Sequence, residues 1–188
     1  LLTATFARQP QHGPVELSLG TADPEPATPT ASSSPVARGV NANDQYFLQT
    51  LAAIPPETAV LQQLANGIAA GTLAQAVAIG QLQQESAAIK SKFAAVDTGA
   101  RFASGQYQCL SEMALGIANA QALAAGYLSQ AAVAADQRGA SLATATNLLG
   151  QAARADAILE QEIGLASRGG PLAATDVARV APAIADMG

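Results

Sequence analysis

The sequence predicts an all-α chain: an antiparallel bundle of three to four alanine-rich helices preceded by a long extended Pro/Ser-rich N-terminal arm. Three observations carry this. Alanine makes up 46 of the 188 residues, about a quarter where a tenth is usual, and it is the strongest helix former. Proline stands at 10, 14, 24, 26, 29, 35, 55 and 56, then not again until 171 and 182. Residues 57–170 therefore lack the residue whose missing N–H and ring clash break helices. Within that stretch, apolar residues recur at heptad spacing. The expected division is an arm over 1–42, a helical bundle over 43–170, and a C-terminal segment with a short helix over 171–188.

The arm comes first. Pro24-Glu25-Pro26-Ala27-Thr28-Pro29 followed by Ser32-Ser33-Ser34-Pro35 has linker composition and no apolar period. Only Val15-Glu16-Leu17-Ser18-Leu19 alternates, enough for one short strand between Pro14 and Gly20. A segment of this kind buries too little apolar surface to order itself, so an ordered role for it requires another chain. The opening Leu1-Leu2-Thr3-Ala4-Thr5-Phe6-Ala7, without Met, fits the tail of an export signal. The chain is expected to be processed and exported, to an extracytoplasmic space, an organelle lumen or a virion.

The helices follow in order. Asp44 is expected to cap a short helix carrying Tyr46, Phe47, Leu48 and Leu51. Pro55-Pro56-Glu57 stops it and opens the next, with proline in the first turn and Glu57 near the positive helix end. Thr72 with Gln75 forms a capping-box pattern after Gly71, where the helix restarts. A first seam reads Leu61, Ala65, Ile68, then Ile79, Leu82, Ser86, Ile89, Phe93 and Val96, closed by Asp97-Thr98-Gly99. A second reads Leu110, Met113, Ile117, Ala120, Ala124, Tyr127, Ala131 and Ala134; a third, Leu142, Ala145, Leu149, Ala152, Asp156, Leu159, Ile163 and Ala166. The last two differ in phase, so Asp136-Gln137-Arg138-Gly139 is either a tight turn or a stutter in one helix, and Gly139 favours the turn. Gly169-Gly170-Pro171 stops the bundle, and Thr175-Asp176 caps the short terminal helix.

Composition excludes several function classes. Nine Lys+Arg against 14 Asp+Glu give a net charge of −5, and Lys90 and Lys92 are the only lysines, too few for a nucleic-acid face. One Cys and one His exclude a disulfide framework and most zinc or haem sites. His12 lies in the arm, so the Glu-x-x-His pairs of a di-metal bundle cannot form. Glu85 and Glu112 are isolated, Glu160 and Glu162 point to different helix faces, and all four read as surface charge. Asp156 falls on the third seam. It reads either as a register-setting or ligand contact, with Arg154 and Arg138 as partners, or as a solvated acid with the seam one residue out of phase; the solvated reading is favoured. Cys109 lacks a nearby base and reads as a small buried apolar group. The glycines are scattered, with no phosphate loop. Catalytic, metal and cofactor residues are therefore expected to be none.

Two resemblances bear on role. The Ala/Gln/Gly-rich, Lys-poor helical character resembles internal or ejection proteins of tailed phages and helical minor pilus components of secretion systems. The Pro-rich arm, then Asp44-Gln45-Tyr46-Phe47-Leu48-Gln49-Thr50-Leu51, then Pro55-Pro56-Glu57-Thr58 and a helical bundle, resembles the layout of the extrinsic lumenal PsbQ-type subunit of photosystem II. That likeness implies an arm that clamps a membrane complex and a bundle without catalysis. The leading expectation is a non-enzymatic structural subunit of a large multi-protein assembly, bound to other protein chains, with the arm as tether and the bundle as spacer or docking element. The alternatives are a PsbQ-like accessory subunit, or a pigment- or small-molecule-binding bundle lined by Tyr46, Phe47, Phe93, Phe102, Tyr107 and Tyr127. No membrane span is expected, and peripheral membrane contact is compatible with the sequence.

Overall fold

A computed structural model describes residues 40–169. The expected strand at 15–19, nearly all of the arm, the Gly170-Pro171 stop and the terminal helix lie outside the described residues. Five α-helices follow one another: α1 (Ala42–Leu51), α2 (Pro55–Ala69), α3 (Gln75–Ala100), α4 (Gln108–Val133) and α5 (Arg138–Ala166), with one 3-10 turn at Gly105–Tyr107. No strand occurs among the described residues. Short turns force successive long helices to run antiparallel.

Asn41, not Asp44, caps α1. Its backbone is extended, and its side-chain oxygen accepts from the Asp44 N–H at 2.9 Å. Asp44 sits inside the first turn, buried, and its carboxylate accepts from the Ser104 N–H and the Ser104 hydroxyl, both at 2.7 Å. The acid expected to cap the helix instead ties α1 to the loop between α3 and α4. Pro55 and Pro56 occupy the first positions of α2 with Glu57 in its first turn, as the sequence predicts.

Two other boundaries are corrected. Gly71 takes a φ of 66°, the left-handed conformation that glycine adopts without strain. The Thr72 N–H then reaches the Gly67 carbonyl at 3.0 Å and the Gly71 N–H reaches Ile68 at 3.2 Å, a Schellman closure. Thr72 therefore closes α2 with its hydroxyl on the Gly67 carbonyl, and α3 begins at Gln75 without a side-chain cap. Nor does Asp97-Thr98-Gly99 end α3, which runs to Ala100. A Cβ on Gly99 would lie 2.9 Å from Phe47 Cδ2, so this glycine admits the close approach of α1. Between α4 and α5 the structure decides for the turn: the Arg138 Nε–H donates to the Ala131 carbonyl at 3.2 Å and closes the end of α4.

The core follows the seams with one systematic shift. On α3 the inward positions are Ala78, Leu82, Glu85, Ile89, Lys92, Val96 and Gly99, all buried or half-buried at strict 4-3 spacing. The expected Leu82, Ile89 and Val96 hold. Ser86 and Phe93 are exposed and Ile79 is only partly buried, because Ala78, Glu85 and Lys92 take the alternate seam positions. On α4 the seam broadens to a face: Ala114, Ala118, Gln121, Ala125, Leu128 and Ala132 join it, while Tyr127 is half-buried. The third seam is buried or partly buried throughout, Asp156 included. Alanines at Ala124, Ala131, Ala145 and Ala152 are buried and permit the close α4–α5 approach that small side chains allow.

Candidate functional site

The interior holds a transverse layer of polar groups, and it begins at the proline-opened end of α2. Glu57 and Thr58 are neighbours there, and neighbouring helical residues face different ways. Glu57 points to α3, where it pairs with the Lys92 ammonium. Thr58 points toward α4 and α5. Its Oγ1 accepts from Gln121 Nε2 at 2.9 Å, and the same amide donates to the Ile54 carbonyl at 3.0 Å. The Thr58 hydroxyl also lies toward the Asp156 carboxylate, whose charged form it favours. Lys92, Glu57, Thr58, Gln121 and Asp156 thus form one layer that crosses four helices.

Buried polar groups cost free energy unless partnered, and this layer is incompletely partnered. Gln121 is fully buried, yet its Oε1 has no hydrogen-bond partner, and neither has Asp156 Oδ1. Burial pushes the Asp156 carboxyl up from 3.8 to about 6; the Thr58 hydroxyl nearby opposes this and the Glu160 charge adds to it. Burial lowers Lys92 from its ordinary value, and Glu57 beside it also gains from the positive end of α2. Glu85, one heptad before Lys92 on the α3 seam, also has a buried oxygen, Oε1, without a partner.

The expected solvated state of Asp156 is corrected: it is 8% exposed. Neither expected cation reaches it, since Arg138 closes α4 and Arg154 faces outward. The seam phase was right, and the neighbour that the sequence did not reveal is the neutral Thr58. Glu160 and Glu112 are exposed as expected, but Glu162 is buried, because it falls one turn beyond Leu159 on the inward face. Cys109 is half-buried; burial pushes its thiol up, backbone hydrogen bonds at Leu110 and Cys109 oppose this, and the charges of Glu112 and Glu162 add to the rise. A thiol so placed holds its proton.

The six aromatic side chains do not converge on one pocket. Phe47 and Tyr107 are core, Tyr127 is half-buried, and Tyr46, Phe93 and Phe102 are exposed. Phe93 instead borders a groove of about 550 Å³ between α3 and α4, with Ser86, Lys90, Ala118, Asn119 and Ala122 among its walls. A second groove, about 520 Å³, lies between α1 and the end of α5. Among the described residues no three His, Cys, Asp or Glu side chains gather as a metal site. No helix among them is long and apolar enough to cross a membrane.

The layer's members were visible in the sequence as residue types but not as a set, because they come from four helices, with Lys92, Gln121 and Asp156 standing 35, 64 and 99 positions beyond Glu57. Gln121 carried no signal at all: a glutamine on an alanine-rich helix reads as solvated. No family model, curated protein or solved structure matches the chain.

Proposed function

We propose that the chain is a non-enzymatic structural subunit of a large multi-protein assembly, of virion or secretion type. The arm tethers it to neighbouring protein chains and the bundle serves as spacer and docking element. The observation that supports this most is the outward side of α3 and α4. Val77 (49%), Phe93 (42%) and Leu123 (48%) are large apolar side chains left in solvent, and Phe93 flanks the 550 Å³ groove between the two helices. The Phe93 groove, where an exposed aromatic ring stands beside Lys90, Ser86 and Asn119, has the polar-bordered apolar surface that contacts between chains use.

Mass photometry of the native material beside a chain truncated to start at Asn43 tests the reading. A large complex for the full chain and a monomer for the truncated one is the expected result. Monomers in both cases overturn it. A second reading, a pigment- or small-molecule-binding bundle, is favoured by the same groove, whose concave wall combines Phe93 with Lys90, Ser86 and Asn119. An absorption band above 300 nm in the natively purified protein distinguishes it. The PsbQ-like accessory role rests on the sequence layout, and co-purification with a membrane complex would support it.

A further inference from the structure

We propose that the groove between α1 and the end of α5 is the seat of the chain's own C-terminal segment, residues 171–188, which packs there through a short amphipathic helix. The groove, about 520 Å³, has an apolar floor and a polar rim. Leu48 and Ile163 supply the floor, and Gln45 and Gln49, exposed and one turn apart on α1, form one edge. The groove exists because α1 packs more extensively against α3 than against α5, which leaves its other side standing off.

The course of the backbone points to the occupant. Val40 and Gly169, the first and last described residues, both line this groove. Gly169 has a φ of 74°, and its N–H donates to the Ala166 carbonyl at 2.9 Å, so α5 ends there and the backbone turns off the helix axis. Residue 170 therefore leaves from the groove's own wall. Three extended residues span at most about 11 Å, which keeps Leu172 within reach of the floor by any path that Gly170-Pro171 takes.

The sequence beyond has a matching face. Thr175-Asp176 is a capping sequence, and Val177, Val180 and Ala181 recur at the i, i+3, i+4 spacing of one helical face, with Arg179 on the opposite side. Pro182 confines such a helix to little more than one turn, and a helix that short holds only against a surface.

Charge complements the fit. Among the described residues that line the groove, Arg168 is the one charged side chain; it is exposed and joins no ion pair among the described residues. The segment brings two acids, Asp176 and Asp186, against one base, Arg179, and Asp176 borders its apolar face. The arm, entering from the other side, brings Arg38 two positions before Val40, a like charge beside Arg168. A seated C-terminal segment covers the wall from which the arm departs, so both exits from the bundle are held at one place.

Limited trypsin digestion of the full-length chain tests the seat. Relative to peptides of the same local sequence, cleavage after Arg179 is expected to be about tenfold slower than after Arg38, since a packed segment is cut only when it opens. Val177→Ser with Val180→Ser should abolish the difference. Equal rates in the wild type overturn the proposal, as does a slow Arg179 site that the double variant leaves slow. Disulfide capture under mild oxidation, in a Cys109→Ala background, then reads the position. Gln49→Cys with Val180→Cys is expected to close an intramolecular bond about tenfold more completely than Gln49→Cys with Val36→Cys, because seating raises the effective concentration of the first pair. The reverse order puts the arm in the groove, and disulfide-linked dimers put a second copy there; either result overturns the proposal.

Discussion

Helices α3 and α4 have the same length, 26 residues each, and opposite situations. Thirteen residues of α4 are buried, against five of α3. The central helix, α4, packs against α2, α3 and α5. Seven of its thirteen buried residues are alanines, spread over a wide face. The outer helix, α3, turns a single file of side chains inward, and that file includes Glu85 and Lys92. A central helix meets neighbours on several sides and needs small residues so that each can come close. An outer helix is held along one stripe, and its remaining surface is left for water or partners. The groove that Phe93 borders lies between the two helices, whereas the fully buried glutamine belongs to α4 alone.

The largest expected effect separates the two helices directly. Leu128→Ala in α4 removes a fully buried side chain and should cost about 3 kcal/mol in chemical denaturation. Phe93→Ala in α3 should stay within about 0.5 kcal/mol, as surface substitutions do. Comparable losses at both sites would break the contrast. Next is the charged stripe. Lys92→Met leaves Glu57 buried without its cation and should cost about 2 kcal/mol, less than a fully buried pair because Lys92 is half-exposed. The double variant Glu57→Leu, Lys92→Met should recover much of that, read by the same unfolding curves in a double-mutant cycle.

Overpacking sharpens the comparison further. Ala124→Leu, at a fully buried α4 position, should destabilise by about 1–3 kcal/mol, whereas Ala87→Leu at the exposed side of α3 should be near neutral in unfolding. The smallest effects lie within α3 itself. Gly80 has open space around it, and Gly80→Ala should stabilise by about 0.5–1 kcal/mol through helix propensity. Gly99→Ala should lose that gain and about 1 kcal/mol more, because its methyl meets the buried Phe47 ring at 2.9 Å. Melting temperatures of the two variants moving in the same direction would show that α1 does not press on α3 there.

Helix existence, helix type and most of the core were legible from local information. The proline-free stretch, the Pro55-Pro56 boundary and the seams of α4 and α5 needed only propensity and period. The errors share one cause. At 85/86 and 92/93 on α3, hydrophobicity selected Ser86 and Phe93, the residues beside the true inward positions, since Glu85 and Lys92 are charged. At 41/44 both residues were chemically able to cap α1, and Thr72 was able to cap α3; each outcome depended on what else the side chain could bond. Asp44 had Ser104 available and Thr72 had the Gly67 carbonyl.

What the sequence determined by itself, then, was the all-α class and the order of helices, since backbone hydrogen bonding within a helix and the exclusion of proline are local properties. Only the tertiary structure decided which acids are buried, which glycine is a contact and which is a closure, and that Gln121 meets Thr58. Those outcomes depend on the relative rotation of helices far apart in the chain, where one residue of phase, about 100° of turn, exchanges a solvated side chain for a buried one.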